Sequence, residues 1–256
     1  MRPLKGQHAL VTGANRGIGA AIARHLAQAG ADVSLLVRTP ANAAALATEL
    51  QALGARTAVV GADVTDEPAL RAAIAEAEGV LGPVQVLVNN AGTAESAPFA
   101  KLDDAAFHRM LDVHLFAPLH AIRCVLPGMV ARGGGRIVNV ASVAGLGGAP
   151  YITAYAAAKH AEMGMTRSIG AEFREAGIRV NAVCPGYVDT DMVAGALERI
   201  VKRSGITAEQ ALAMIIRDSG QKRLATVDEV AAAVLAYAIP SCSVTGEHTT
   251  VMGEVA

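Results

Sequence analysis

Short apolar runs alternate along this chain with longer segments in which apolar positions recur at helical spacing. The short runs predict strands at 7–12, 32–37, 57–62, 84–89, 135–140, 178–184 and 247–252. The periodic segments predict helices at about 18–29, 41–53, 67–78, 103–130, 152–175 and 226–238. Strands that alternate with helices imply an α/β fold: a doubly wound parallel sheet of about seven strands, covered by helices on both faces. No linker, repeat or low-complexity tract interrupts residues 1–256, which read as a single domain. Thr226 and Glu229 have capping-box spacing and mark a late helix start. Pro118 predicts a kink or interruption within 103–130. The alternation lapses at 187–224, which reads as a lid of two helical pieces near 192–203 and 208–217. Gly186, Gly195 and Gly205 offer it flexible points.

Composition narrows the class. A chain of 256 residues, 52% hydrophobic and 18% charged, can bury a substantial core and is not disordered. A formal net charge of -1 gives no electrostatic case for nucleic acid or an anionic membrane as partner. Cys124, Cys184 and Cys242 are odd in number, lie far apart and form no metal spacing, which points to a reducing compartment and no metal. The start, MRPLKGQH, has no apolar signal region, and the expected location is cytoplasmic. Ile137 to Ala158 is uncharged and about as long as a membrane span, but Asn139, Ser142, the Gly147-Gly148 pair and Pro150 make it a strand and loop.

Two patterns carry chemistry. The run QHALVT leads into Gly13, Gly17 and Gly19 and then into the helical pattern IGAAIARHLAQAG. Gly13 permits the tight turn, Gly17 lets the backbone approach a pyrophosphate, and Gly19 allows close helix–strand packing, with helix N-terminal amides facing the phosphates. Further on, Tyr155 and Lys159 stand four residues apart on one helical face, thirteen residues after Ser142. A neighbouring ammonium favours the phenolate of Tyr155, and a Ser hydroxyl can hold a carbonyl oxygen beside it. That is an acid–base site for interconverting an alcohol and a ketone. Y-x-x-x-K alone is also compatible with an ordinary Tyr and a surface Lys.

The motifs TGANRGIG at 12–19, NNAG at 89–92, Ser142, YAAAK at 155–159 and CPGYVDT at 184–190 occur in that order. Together they resemble the short-chain dehydrogenase/reductase family over nearly the whole chain. The resemblance implies a one-domain Rossmann fold, NAD(P)-dependent oxidoreduction and a homo-oligomer, tetramer or dimer. It places Gly13, Asn15, Arg16, Gly17, Ile18 and Gly19 around the phosphates, and Asp63-Val64 at the adenine. It also lines the cofactor with Asn90, Ala91 and Gly92, Tyr155 and Lys159, and Pro185, Gly186, Val188 and Thr190, and leaves Asn89 mainly structural. Val37 stands where NAD-preferring relatives carry Asp, and Arg38 follows it. Arg38 and Arg16 converging on a 2′-phosphate favour NADP(H), with NAD as the alternative. Asp63 reads equally well as a cap after its strand.

His114 departs from the family pattern, because relatives carry Asn at this distance before the catalytic Ser. A neutral imidazole can also hold a water in a proton relay, and the alternative is a His packed inside a helix. The ending VMGEVA lacks the usual Gly-Gly. The stretch KHAEMGMTRSIGAEFREAGIRVNAVCPGYVDTDM and the long lid look like β-ketoacyl-thioester and aromatic polyketide ketoreductases. The lid carries an apolar stripe, Met192, Val193, Leu197, Ile200 and Val201, and the cations Arg199, Lys202, Arg203, Arg217, Lys222 and Arg223. These suit a carbonyl or alcohol substrate carried on coenzyme A or a phosphopantetheinyl protein, or else a solvated face. A cyclic or aryl secondary alcohol is the alternative substrate. A catalytically weak nucleotide-binding subunit that stabilises or regulates a partner is the alternative function.

Overall fold

The computed structural model describes residues 2–255. The chain runs β1 (His8–Thr12), α1 (Gly17–Gln28), β2 (Asp32–Val37), α2 (Ala44–Ala52), β3 (Thr57–Gly61), α3 (Glu67–Leu81) and β4 (Val86–Asn89). It continues through α4 (Asp104–Leu111), α5 (Ala117–Ala131), β5 (Gly135–Val140), α6 (Thr153–Glu172), β6 (Ile178–Pro185), α7 (Asp191–Ser204), α8 (Ala208–Ser219), α9 (Val227–Ala238) and β7 (His248–Val251). All sheet pairings are parallel, in the order β3-β2-β1-β4-β5-β6-β7.

The central strands read as apolar runs because both of their faces are covered. Successive side chains alternate between faces. Ala9, Val11, Val33, Leu35, Val86, Val88 and Val138 pack on one side with Ile22 and Leu26 of α1 and Val230 and Val234 of α9. Leu10, Leu36, Leu87 and Ile137 pack on the other with Leu70 and Ile74 of α3 and Ile122 and Val125 of α5. The chain winds outward from β1 to β3 and then returns, so that β4 pairs with the opposite side of β1. In such sheets ligands bind beyond the carboxyl ends of the strands at this reversal.

The segment 104–131 has the length and hydropathy of a membrane span, yet Met110, Ala121, Ile122, Val125 and Met129 sit in the core. It is broken, but not at Pro118 itself. A π turn at Asp112–Phe116 separates α4 from α5, and the Ala117 N–H reaches the Asp112 carbonyl. Pro118 sits in the first turn of α5, where a missing N–H is tolerated. It cannot supply the bond to residue 114 that a straight helix requires, and the ladder loosens just before it.

The lid region forms α7 and α8, joined through Gly205 in a left-handed conformation (φ 72°). Its base is fixed. Buried Gln221 donates to the carbonyls of Tyr187 and Arg223 and accepts from the Tyr187 amide. Gly186 is a packing residue rather than a hinge, since a Cβ there would lie 2.5 Å from Gln221 Oε1 and 2.9 Å from Met252 Sδ. Thr226 and Glu229 close the expected capping box at the start of α9.

Candidate active site

At the reversal point Thr12 organises the loop after β4. Its hydroxyl oxygen accepts from the amides of Asn90 and Ala91, at 2.9 and 3.0 Å. Asn90 Nδ2 donates to the carbonyls of Thr12 and Gly13, at 2.9 and 3.2 Å. Asn89 lies below and donates to Asn139 on β5, which donates to Thr166 on α6. This buried chain ties the two strands to the helix behind them, which is the structural role expected of Asn89.

The glycine loop fits a dinucleotide phosphate. Gly13 and Gly17 have positive φ, 66° and 52°. A Cβ on Gly19 would collide with the Gly13 carbonyl and lie 2.5 Å from Asn90 Nδ2. No side chain caps α1 at Arg16, and no acidic residue stands in its first turn. The first amides of α1, around Ile18, therefore face outward with no side-chain partner, as an anion requires. Asn15 and Arg16 sit on this loop.

Arg38 is exposed just beyond β2. Arg16 does not point freely at it: its Nη1 lies 3.2 Å from Asp191 Oδ2 at the start of α7, with the two side chains 70% and 78% exposed. A pair that exposed is worth about 0–1 kcal/mol and opens readily. Asp63 accepts from the amide and hydroxyl of Thr65, which hold its carboxyl below the usual range, and Arg38 adds to this. These bonds fix the turn just after β3, with Val64 beside it. Pro185 ends β6, Gly186 and buried Val188 follow, and Thr190 donates back to the Val188 carbonyl. Gly92 lies against His114, whose Cε1 would be 2.9 Å from a Cβ there.

Ser142 stands just past β5, with its oxygen accepting from the Ala144 amide. The loop it starts packs on α6 so closely that a Cβ on Gly145 would lie 2.8 Å from the Lys159 carbonyl. On the facing side of α6 Lys159 is 3% exposed. Its Nζ donates to the Val140 carbonyl at 2.9 Å, two residues before Ser142, and to Glu162 Oε2 at 2.8 Å. It lies 6.0 Å from the centre of the Tyr155 ring. Burial alone would lower the Lys159 pKa, but the Glu162 carboxylate and the Tyr155 oxygen outweigh it and raise it, so the ammonium stays charged.

His114, 2% exposed, presents its ring edge-on to Tyr155, with centroids 5.2 Å apart at 87°. Its Nε2 meets the Thr93 carbonyl at 2.7 Å and must donate. Nδ1 is then an acceptor, and it has no partner among the described residues. Burial and the Lys159 charge push the ring down to about 3, so the imidazole is neutral at working pH. Sequence reasoning missed Glu162, which is 1% exposed. Its signal was an acidic residue three positions after Lys159, on the face of α6 that carries Met163 and Thr166 into the core.

Opposite, the loop after β5 meets the lid. Tyr151 takes a positive φ of 69°, unusual for a side-chain-bearing residue, and its carbonyl accepts from the Ala97 amide at 2.8 Å. Arg203 of α7 sits 5.6 Å above its ring. Two of the six lid cations are otherwise engaged: Arg217 pairs with Asp218, and Arg223 with Glu229 and Glu254. Among the described residues no three His, Cys, Asp or Glu side chains cluster as a metal site would.

Residues 7–200 match the family described as short chain dehydrogenase. The chain is 34% identical over 249 residues to the D-beta-hydroxybutyrate dehydrogenase of Rhizobium meliloti, covering 96% of each. It is 34% identical to the ketoacyl reductase HetN of a Nostoc species, over 83% of this chain and 75% of that protein. Its fold matches a gluconate 5-dehydrogenase of Burkholderia cenocepacia, solved with NADP and tartrate, with a TM-score of 0.86 at 32% identity over 98% of this chain and 95% of that one. With this fold, this glycine-rich loop and these similarities, the chain belongs to the short-chain dehydrogenase family and is an NAD(P)-dependent dehydrogenase of that kind.

Proposed function

We propose that this protein interconverts a ketone and a secondary alcohol by hydride transfer with NADP(H), with Tyr155 as acid in reduction and base in oxidation. One observation carries the reading: Tyr155 and Lys159 lie on α6 against the end of β5 that leads into Ser142, while His114 and Gly92 close the site from the β4 side. The bound cofactor supplies or accepts the hydride. The Ser142 hydroxyl holds the substrate oxygen, and Tyr155 gives that oxygen its proton, or takes it back in the reverse direction. An ammonium has three N–H donors. Val140 and Glu162 occupy two donors of Lys159, which leaves one for the Tyr155 side of the site. Arg38 selects the 2′-phosphate of NADP(H), helped by Arg16 once it leaves Asp191. Turnover of 3-oxoacyl thioesters against cyclic and aryl ketones, with NADPH and NADH, tests the reading, and failure on every carbonyl and alcohol would favour a non-catalytic subunit.

His114 works here as an acceptor, its free Nδ1 holding a water on the path that returns protons to Lys159. A neutral buried His also leaves a mark on stability. Its folded pKa of about 3 lies below the ordinary 6.5, so the unfolded chain binds the proton first. The contribution is fully present above pH 6.5 and is lost as pH falls toward 3, on the order of 5 kcal/mol in all. His114→Asn should therefore flatten the loss of urea stability between pH 7 and pH 5, while keeping part of the rate that His114→Ala loses. Equal pH slopes in wild type and Asn variant would remove the buried neutral imidazole.

The substrate enters under α7 and α8, which bury Val193, Ala211 and Ile215 but whose charged ties, Arg16–Asp191 and Arg203–Tyr151, lie at the surface. Hydrogen exchange over 187–224 should slow when NADPH and a substrate analogue bind together, and exchange already slow without ligand argues against a mobile lid. Removing Lys202 and Arg203 should raise KM for a coenzyme A thioester more than for a small neutral ketone. Equal effects remove the anionic carrier. Three free thiols suit a cytoplasmic setting, and the family resemblance supports a homo-oligomer.

A further inference from the structure

We infer that Glu162 is a positioning residue: a buried counter-ion that keeps Lys159 charged and holds its ammonium in one orientation beside Tyr155. The inference rests on the reading of Lys159 as the cation that serves Tyr155. Both side chains are almost wholly out of water, and their 2.8 Å contact is the only ion pair of that depth among the described residues. Every other pair among the described residues has at least one partner well exposed to solvent.

Among the described residues no other carboxylate acts on Lys159. The π turn contributes His114, which is neutral. β6 contributes Cys184, whose thiol burial pushes up to about 11, and which is therefore also neutral at working pH. Arg167, farther along α6, adds positive charge at Cys184. Tyr155 on the same helix is the group that Lys159 is there to serve. A buried lysine without a counter-charge loses several pKa units, enough to discharge it near neutrality. Burial pushes the Glu162 carboxyl up, the ammonium 2.8 Å away opposes that rise, and the contact between them keeps Lys159 from discharging. With the Val140 carbonyl it also fixes two of the three N–H directions, so the third is aimed rather than free to rotate.

An acidic residue near Lys159 could have the opposite effect, by cancelling its field at the phenol. The geometry decides between the two. Glu162 is in direct contact with the ammonium and lies on the far side of it along the helix from Tyr155, three residues after Lys159 where Tyr155 is four before. Removing the carboxylate from so dry a site discharges Lys159 before any gain in field can be felt.

The experiment is lysine side-chain NMR on the whole protein. Lys159 is one of five lysines, with Lys5, Lys101, Lys202 and Lys222, so its signal can be assigned by substitution. In wild type Lys159 should stay charged to pH 9. In Glu162→Gln, which keeps shape and hydrogen bonding, its midpoint should fall by about three units or more. The pH above which alcohol oxidation reaches full rate should move up, with kcat falling more than KM rises. A Lys159 still charged at pH 9 in the Gln variant, or an oxidation profile that moves down or stays put, overturns the inference. If Glu162→Gln does not fold, Glu162→Asp keeps the charge but withdraws it by one methylene, and an unchanged Lys159 midpoint there overturns it equally. The titration is independent of turnover, so Tyr155→Phe, assayed beside it, reports separately on the reading of Tyr155.

Discussion

Tyr155→Phe should lose about three orders of magnitude in kcat for ketone reduction, while NADPH still binds. The variant keeps the ring that packs edge-on against His114 and removes only the oxygen proposed to move the proton. Little else can take its place. His114 is neutral and already donates its one N–H to Thr93, so it has no proton for the substrate. The Lys159 ammonium is drawn toward Val140 and Glu162. The Ser142 hydroxyl oxygen accepts from the Ala144 amide, which suits it to holding an oxygen rather than exchanging its own proton. Cofactor affinity should change little because the proposed phosphate loop lies at the start of α1, away from the Tyr155 hydroxyl. The check is single-turnover reduction with saturating NADPH, together with fluorescence titration of the cofactor. A variant that keeps most of its kcat would leave Tyr155 without a role in the chemistry.

Much of this was legible in the sequence, for a physical reason. Parallel strands buried on both faces are largely apolar, so β2 and β5 could be bounded at 32–37 and 135–140 from hydropathy despite Asp32 and Ser34 in one and Arg136 and Asn139 in the other. The glycine loop was legible because Gly13, Gly17 and Gly19 each meet a steric demand that no other residue meets. What stayed hidden depended on long-range packing. The π turn arises from Pro118 acting on a carbonyl four residues back, so the break falls upstream of the residue that signals it. Glu162 lies in an Ala-rich helix with charges on several sides, where a carboxylate reads as a solvated face. Only the closeness of β5 and β6 shows that this face is dry. Gly186 looked like a hinge because sequence cannot show that Gln221, thirty-five residues later, fills the space beside it.

Arg38→Ala should weaken NADPH by about 10- to 100-fold and leave NADH nearly unchanged, the range expected for losing a charge-assisted bond to a phosphate. Arg38 follows β2 directly, and no carboxylate pairs with it among the described residues. Val37, which precedes it, is buried and apolar and offers a ribose hydroxyl nothing. Asp63, which feels the Arg38 charge, has one oxygen committed to Thr65 and forms no ion pair with Arg38. Arg16 should contribute less, because part of its gain is spent in leaving Asp191. That ordering is itself testable. Asp191→Asn frees Arg16 and should tighten NADPH by up to about fivefold, the upper end for an exposed pair, while the same substitution in an Arg16→Ala background should do nothing. A wild-type enzyme with the higher kcat/KM for NADH would overturn the assignment. So would an Arg38→Ala variant whose affinities for the two cofactors fell equally, since that would make Arg38 a support for the loop after β2 and not a reader of the 2′-phosphate.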